Sequence, residues 1–418
     1  MTTRVNSFLA LIFGFCLTGC TGAPNGAMLP HLPIGLPSLS YQEYLIQRKI
    51  LKTSGPESPE DAVLSRILEL GGRNLRWYQG ADSQNTGSQQ IGATPELSDP
   101  TPLNPLEYGP TKILSEFASF LDQAPTSLKR KLESNEVLTP ADLVRNSSFD
   151  KYVKWLDQIY TLTVRWVLLK PYVNQLKAKR SQDVRGYIIL RDYPDLQNRL
   201  EEWTSHSEFE RNRLKELLLG QCLNQASLSM GSCEKKFEEM TPLAFFNTFQ
   251  PGAKTVYENF FKISSATKKL SLVWQGTSPE ILPIPFSEPE SAQLKQAFEN
   301  SLSSAWSFPD WLVKLDFKNT GSFLPKVRMQ AGANPAVQGN TLILDANHRL
   351  DSPATLRTIA HELGHFLGFP DCYVEFYDED RKTMVAYIID SNNIMCSQHG
   401  RVSETHLAEL KQVYPRQE

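Results

Sequence analysis

One short stretch near the C-terminus combines residue types that hold metal ions, His361-Glu362-Leu363-Gly364-His365. If residues 353–367 form a helix, side chains four positions apart lie on one face, about one turn from each other. His361 and His365 can then direct imidazole nitrogens at one metal ion. Glu362 would lie beside that ion, where a carboxylate can hold and deprotonate a water molecule. The spacing therefore predicts a zinc site in which Glu362 is the catalytic base.

The residues that follow this predicted helix point to a third ligand. Gly368 can adopt the left-handed conformation that ends many helices, and Pro370 prevents the helix from continuing. The chain must therefore turn sharply. A tight turn can return Asp371 to the metal ion and leave a fourth position for water. We expect one Zn²⁺ per chain, held by His361, His365 and Asp371.

The size and charge of the chain limit its architecture and its partners. With 418 residues, the chain is long enough for two or three domains. Its formal net charge of −3 gives no electrostatic reason to expect a nucleic-acid partner. Its basic clusters are short and lie within helical patterns, which is typical of solvated helix faces.

The N-terminus has the features of a targeting segment. Residues 1–19 contain Arg4 followed by a mostly apolar stretch that is too short to span a bilayer, which predicts a signal peptide. Leu17-Thr18-Gly19-Cys20 resembles the lipobox of bacterial lipoproteins, whose cysteine carries the lipid. This resemblance implies a protein of the bacterial cell envelope that is anchored to the lipid bilayer through acylated Cys20. Thr21 follows the cysteine and favours the outer membrane.

Disulfide bonds are expected in such an oxidising compartment. Three pairings are open to the four remaining cysteines, Cys222, Cys233, Cys372 and Cys396. The simplest pairing joins nearest neighbours, Cys222 with Cys233 and Cys372 with Cys396. The second of these bridges would tie together two walls of the predicted metal site, because Cys372 follows Asp371 directly.

The first part of the chain carries no recognisable chemistry. Residues 20–39 are rich in proline and glycine and predict a tether. Residues 40–110 predict short helices at 41–51 and 59–70, followed by a long polar loop at 71–110. Residues 111–263 have a helical pattern that includes an apolar stripe from Phe149 to Val167, which is typical of a core helix. A loop is predicted at 221–232.

From residue 265 to residue 418 the pattern changes to mixed strands and helices. Strands are predicted at 270–274, 311–317, 326–330 and 341–345. Helices are predicted at 289–304, 353–367 and 403–413. The chain is therefore expected to belong to the α+β class, with a mostly α-helical domain followed by a C-terminal domain that has the size of a common catalytic domain.

This C-terminal region resembles the metzincin clan of zinc metallopeptidases, and in particular the snapalysin-type enzymes with an HExxHxxGxxD pattern. The resemblance rests on residues 361–371, on Asn393-Ile394-Met395-Cys396 and on the closing C-terminal helix. It implies a mixed sheet with an active-site helix, a turn that places Met395 beneath the metal ion, and hydrolysis of a protein or peptide substrate. Most of the clan has histidine as third ligand, whereas Asp371 is an anionic donor that would weaken acidification of the water.

Two other interpretations stay open at this point. In a thermolysin-like arrangement, the third ligand would come from a later helix, with Glu404 or Glu409 as the donor. Alternatively, the protein is an envelope adaptor with an inert zinc domain, and its helical domain binds a partner. The presence of Glu362 argues against the adaptor, because a purely structural zinc site needs no general base.

Overall fold

The computed structural model describes residues 58–82, 100–134, 149–276, 278–319, 324–330, 335–346, 349–397 and 399–417. The predicted signal peptide, Cys20, the tether and the helix at 41–51 lie outside these ranges and stay predictions. None of the helices inside the ranges is both long enough and apolar enough to cross a bilayer.

The N-terminal part of the described chain is helical. Its elements are α1 (Pro59–Asp82), β1 (Leu106–Tyr108), α2 (Pro110–Gln123), α3 (Thr126–Ser134), α4 (Asp150–Leu169), α5 (Val173–Ala178), α6 (Arg185–Arg191), α7 (Leu196–Glu201), α8 (Glu208–Leu223), α9 (Met230–Glu238) and α10 (Pro242–Asn259), with 3₁₀ turns at Lys170–Tyr172, Lys179–Gln182 and Trp203–Ser205. The apolar stripe of α4 is buried as predicted, with Val153, Leu156 and Ile159 on the inner face.

One loop prediction in this region was wrong, and a second was right only in part. Helix α1 continues to Asp82, well past the predicted end at residue 70. A Cβ at Gly71 would lie 2.5 Å from the Tyr160 side chain, so this glycine permits close helix packing where the sequence suggested a break. The loop predicted at 221–232 is shorter than expected, because α8 runs to Leu223 and α9 begins at Met230.

The C-terminal part mixes strands and helices. Its elements are β2 (Glu280–Ser287), α11 (Ala292–Ala305), β3 (Trp311–Lys318), β4 (Lys326–Met329), β5 (Ala336–Gln338), β6 (Thr341–Leu344), α12 (Pro353–Phe366), β7 (Tyr373–Asp378), β8 (Thr383–Ile388) and α13 (Glu404–Val413). The described chain is thus a mixed α and β protein with small sheets, which agrees with the α+β prediction at that level.

The strands of this part form small sheets around one hydrophobic core. Strand β2 pairs with β3 in parallel, β4 pairs with β6 in parallel, and β5 pairs with β6 in antiparallel orientation. The amide of Ser287 donates to the Pro325 carbonyl and so links the first pair to the second. Helix α12 packs on α11, where the indole of Trp306 donates to the Ala360 carbonyl at 2.9 Å.

Strand β2 was missed, and the predicted strand at 270–274 does not form. Trp274 makes only an isolated bridge to Arg416. Strand β2 contains Pro283 and Pro285, which count against a strand in sequence because proline cannot donate to the ladder. Backbone N–H groups alternate between the two edges of a strand. Prolines two positions apart therefore remove donors from one edge only, and the other edge remains available for β3.

A third sheet connects the two parts of the chain. Strands β7 and β8 form an antiparallel hairpin, and β1 of the helical part pairs with β8, with Leu106 opposite Ala386. Strand β1 lies within the loop predicted at 71–110, so that prediction was wrong here too. The pairing could not be read from the sequence, because the two strands are far apart along the chain and β1 is very short.

Candidate metal centre

Local sequence determines where the central helix begins and ends. The Ser352 side chain accepts a hydrogen bond from the Thr355 amide, and Pro353 occupies the first turn, where its missing N–H costs nothing. At the other end Gly368 has a φ of +96°, as predicted. The Phe369 amide then donates to the Gly364 carbonyl at 3.1 Å, which completes a Schellman motif. The chain leaves the helix abruptly and turns back toward it.

Both imidazoles are held by backbone carbonyls. The Nδ1 atom of His361 lies 2.8 Å from the Ile394 carbonyl, and Nδ1 of His365 lies 2.9 Å from the Phe369 carbonyl. A carbonyl can only accept, so each Nδ1 carries a proton, and in the neutral imidazole each Nε2 then offers a lone pair. This arrangement sets the tautomer and ring orientation that metal-binding histidines need.

The turn after the helix brings Asp371 to these lone pairs. Its Oδ1 atom lies 3.2 Å from His361 Nε2 and 3.3 Å from His365 Nε2. Ligand atoms about 2.0–2.1 Å from a tetrahedral zinc ion are separated by roughly 3.3 Å. Both distances therefore match the separation of two ligand atoms on one such ion.

Several polar atoms of this cluster are buried without a hydrogen-bond partner among the described residues. They are both carboxylate oxygens of Glu362, Nε2 of His365 and Oδ1 of Asp371. His361, Glu362 and His365 each offer a ligand atom within 4.8 Å of the others, so this group could hold a metal ion. Buried polar groups almost always have partners, so the cluster has the donor set and the unmet bonding capacity of a cation site.

The electrostatics of the cluster also favour a cation. Burial opposes ionisation of Asp371, but attraction from His365 and contact with both imidazoles hold its pKa well below the usual range. Burial alone would lower the pKa of His361, yet Asp371 and the charge of Glu362 raise it to about 9. Burial raises the pKa of Glu362, although the nearby imidazoles oppose this shift. The carboxylates thus create a negative potential at the two imidazoles.

Met395 lies against the metal-site helix. Its side chain is buried, and a Cβ added at Gly364 would come within 2.4 Å of the Met395 sulfur. The thioether therefore occupies the space that Gly364 leaves open between the two histidines. The predicted disulfide bond between Cys372 and Cys396 forms, and the Cys372 amide donates to the Met395 carbonyl at 3.1 Å. The Asp371 segment and the Met395 turn are thus joined directly.

The Cys222–Cys233 bond also forms as predicted.

A buried histidine supports the Met395 turn. The Ser403 amide donates to Nδ1 of His406 at 3.1 Å, so Nε2 carries the proton and donates to Asn393 Oδ1 at 3.1 Å. The same oxygen accepts the Met395 amide at 2.8 Å. Burial lowers the pKa of His406 to about 4. Neutral His406 therefore orients the turn, a role that sequence reasoning missed, although its position three residues after Ser403 is that of a capping box.

The other side chains that could serve as third ligand in place of Asp371 lie elsewhere. Glu404 is exposed, and Oε1 of Glu409 accepts the Ile263 amide at 2.6 Å. His399, another histidine near the Met395 turn, is exposed. The carboxylate that reaches both Nε2 atoms is that of Asp371, which is the arrangement predicted from the HExxHxxGxxD spacing. The backbone carbonyls of Ile394 and Phe369, which orient the imidazoles, could not be identified in the sequence because every residue has one.

Comparison with known proteins gives no further assignment. No protein-family model, no curated protein and no solved structure matches the chain.

Proposed function

We propose that this protein is a membrane-anchored, zinc-dependent endopeptidase of the metzincin type. The observation that carries the proposal is the convergence of Asp371 Oδ1 on two imidazole Nε2 atoms, at 3.2 and 3.3 Å. This oxygen has no hydrogen-bond partner within the described ranges. Two neutral imidazoles and one carboxylate are a common zinc ligand set in hydrolytic enzymes, and such sites keep one position open. His361, His365 and Asp371 would hold the ion.

Zinc, when bound, supplies Lewis-acid chemistry that polarises a peptide carbonyl and makes water more acidic. The protein supplies the proton transfer. Glu362 is fully buried beside the two imidazoles, and neither of its oxygens has a hydrogen-bond partner among the described residues. Its carboxylate is free to accept a proton from the attacking water and to pass that proton to the leaving amine.

The proposed substrate is an extended protein or peptide segment. Strand β5 pairs with β6 on one side and lies close to the metal-site helix, and its other side has no strand partner among the described residues. An extended peptide can add to such an edge through main-chain hydrogen bonds, with side chains in alternate pockets. This mode of binding favours cleavage within a chain. The proposed lipid anchor at Cys20 would confine this activity to the cell envelope.

The decisive experiment separates metal binding from hydrolysis. The full-length protein should contain one zinc ion per chain and cleave a general peptide substrate, and a chelator should remove both properties. Glu362→Gln should keep the zinc but lower kcat by about 10²–10⁴-fold, because it removes only the proton acceptor. Absence of stoichiometric zinc in the wild type, or full activity of Glu362→Gln, would refute the proposal.

Two matched variants test the ligand set. Asp371→Ala should lose zinc, because a two-histidine site lacks its third donor. Glu409→Gln should keep zinc and activity, because that side chain accepts a backbone amide away from the imidazoles. The reverse result would favour the thermolysin-like arrangement.

A further inference from the structure

The segment between Asp371 and Met395 is a β-hairpin that the helical region holds on both sides. Met384 and Ala386 belong to a hydrophobic cluster with residues of α1 to α4. Val374, Phe376, Val385 and Tyr387 form a second cluster, to which Phe260 is adjacent. Helix α5 and the Lys179–Gln182 turn also pack on β7. The two strands of the hairpin are therefore buried against the helical region, although the hairpin begins and ends near the predicted metal site.

Polar contacts fix the hairpin at its centre. Arg165 Nε donates to Glu375 Oε1 at 2.6 Å and to the Tyr108 hydroxyl at 2.9 Å. The Tyr108 hydroxyl donates to the same Glu375 oxygen at 2.6 Å. The Glu375 side chain is fully buried and that of Arg165 is nearly so. On β8, the Tyr387 hydroxyl donates to Asp183 and accepts the Val184 amide, both at 2.9 Å.

Ion pairs hold the tip of the hairpin. Lys177 contacts Glu379 at 2.7 Å and Arg180 contacts Asp380 at 2.8 Å. Arg381 reaches back to Glu107 at 3.0 Å. These pairs are largely exposed and contribute little each, but their partners all lie in the helical region.

The base of the hairpin is joined to the metal ligands. Cys372, which links Asp371 to β7, is bonded to Cys396, and its carbonyl accepts the Ile389 amide at the end of β8. Tyr373 and Ile388 at this base belong to the same hydrophobic core as Leu363 and Met395. Asp371 is thus held on one side by the helix end and on the other by the hairpin.

We propose that the helical region positions Asp371 for metal binding through this hairpin, with Glu375 as the positioning residue and Arg165 and Tyr108 as its anchors. This inference rests on the proposed zinc site and assigns a role to the helical region, for which the sequence indicated none. A hairpin that is free to shift would let the Asp371 carboxylate move away from the two Nε2 atoms. The helical region would then contribute to the metal site through its contacts with the hairpin.

The test uses the full-length protein with Arg165→Met, which leaves the buried Glu375 carboxylate without its cation. Two readouts are measured well below the melting temperature. Hydrogen exchange of the peptide that contains Asp371 and Cys372 is followed in the metal-free protein, and zinc affinity is measured by competition with a chelating dye. We expect faster exchange at this peptide and a zinc Kd raised by about 10–100-fold, as for other groups that orient metal ligands.

Leu218→Ala is the matched control, because Leu218 is fully buried in a helical cluster that contains no hairpin residue. It should lower the melting temperature but leave zinc affinity and exchange at Asp371 unchanged. The double variant Arg165→Met/Glu375→Leu removes the isolated charge while it keeps the packing, so it should recover most of the lost stability. Its zinc affinity should stay lowered, because the hydrogen bonds of Glu375 are still absent.

Unchanged exchange at Asp371 and unchanged zinc affinity in Arg165→Met, with only a lower melting temperature, would overturn the inference. If Arg165→Met does not fold, Glu375→Gln replaces it in the same two measurements. Failure of the wild type to bind zinc would refute the proposed function instead, and the exchange comparison alone would then decide whether the hairpin is coupled to Asp371.

Discussion

The protein contains two buried clusters of charged side chains that differ in how far their bonding capacity is met. In the hairpin cluster, Oε1 of Glu375 accepts hydrogen bonds from Arg165 and from Tyr108, and the Tyr108 hydroxyl also accepts one from Arg165. Within the part of the chain that the structure describes, Oε2 of Glu375 is the one side-chain atom of this cluster without a partner. In the metal-site cluster, the imidazoles and carboxylates converge, and four of their side-chain atoms have no hydrogen-bond partner in the described part of the chain. The first cluster satisfies its charges by its own contacts and leaves one oxygen unpaired, whereas the second has the unmet bonding capacity of a cation site.

This difference separates a structural ion pair from a binding site. A buried ion pair recovers its desolvation cost through its own contacts, so nothing else needs to bind there. A buried group of donors whose lone pairs face one point is costly unless a ligand satisfies them. Burial alone would therefore make the two clusters equally good candidates for a binding site. Only the number of polar atoms without hydrogen bonds distinguishes them.

The largest loss of folding stability is expected when the Arg165–Glu375 pair of the hairpin cluster is broken. Arg165→Met should destabilise the fold by about 3–5 kcal/mol, because it leaves a buried carboxylate uncompensated. Replacing both partners in Arg165→Met/Glu375→Leu should recover most of this loss. Urea unfolding of the metal-free proteins measures both values. Equal destabilisation in the single and double variants would show that packing, and not charge, dominates this cluster.

The metal-site cluster should respond in the opposite way, by gaining stability from a ligand. Zinc at 100 times its Kd should stabilise the wild type by about 2.7 kcal/mol, because only the folded state presents the three ligands. Thermal melts with and without zinc measure the shift. Asp371→Ala should show little shift, whereas Arg349→Ala, which removes an exposed ion pair with Asp351, should behave like the wild type. A full zinc shift in Asp371→Ala would contradict the ligand assignment.

His406 is also buried and titratable, but it differs from the charged groups of the two clusters because it must stay neutral. Burial lowers the pKa of His406 from 6.5 to about 4. Between pH 4 and pH 6.5, the unfolded state therefore binds a proton more readily than the folded state does. The contribution of His406 is complete above pH 6.5 and is lost as the pH falls through about 4. The difference amounts to about 3 kcal/mol.

The comparison of His406→Gln with the wild type isolates this contribution. Glutamine can keep the capping box but does not titrate, so the variant should lose less stability between pH 6.5 and 4. Denaturant unfolding at several pH values provides the measurement, with His399→Gln as the exposed control. Parallel pH profiles for all three proteins would contradict the assignment of neutral His406.

The smallest effect concerns the packing beneath the metal-site helix. Gly364→Ala would place a Cβ 2.4 Å from the Met395 sulfur, so the methionine must move. A thioether is adaptable, and we expect a loss of about 1–3 kcal/mol together with a modest fall in kcat. Gly72→Ala is the control, because a Cβ there meets nothing within 4 Å. A stability equal to that of the wild type would show that Met395 can shift without cost.

Local sequence was sufficient for the metal-site helix and its ends. Ser352, Pro353 and Gly368 act through hydrogen bonds and backbone angles within a few residues, and the four-residue spacing of the histidines fixes their common face. For the same reason, Asp371 could be expected near the imidazoles, because only a tight turn separates it from the helix. The nearest-neighbour disulfide pairing also required only short separations along the chain.

Tertiary structure alone decided the role of the hairpin. Glu375 has its partners at Tyr108 and Arg165, far away along the chain, and a carboxylate on a strand does not indicate which cation it will meet. Strand pairing and ion pairing depend on contacts that form only when distant segments pack. The sequence alone could therefore predict that Asp371 approaches the two imidazoles, but not what holds it in place.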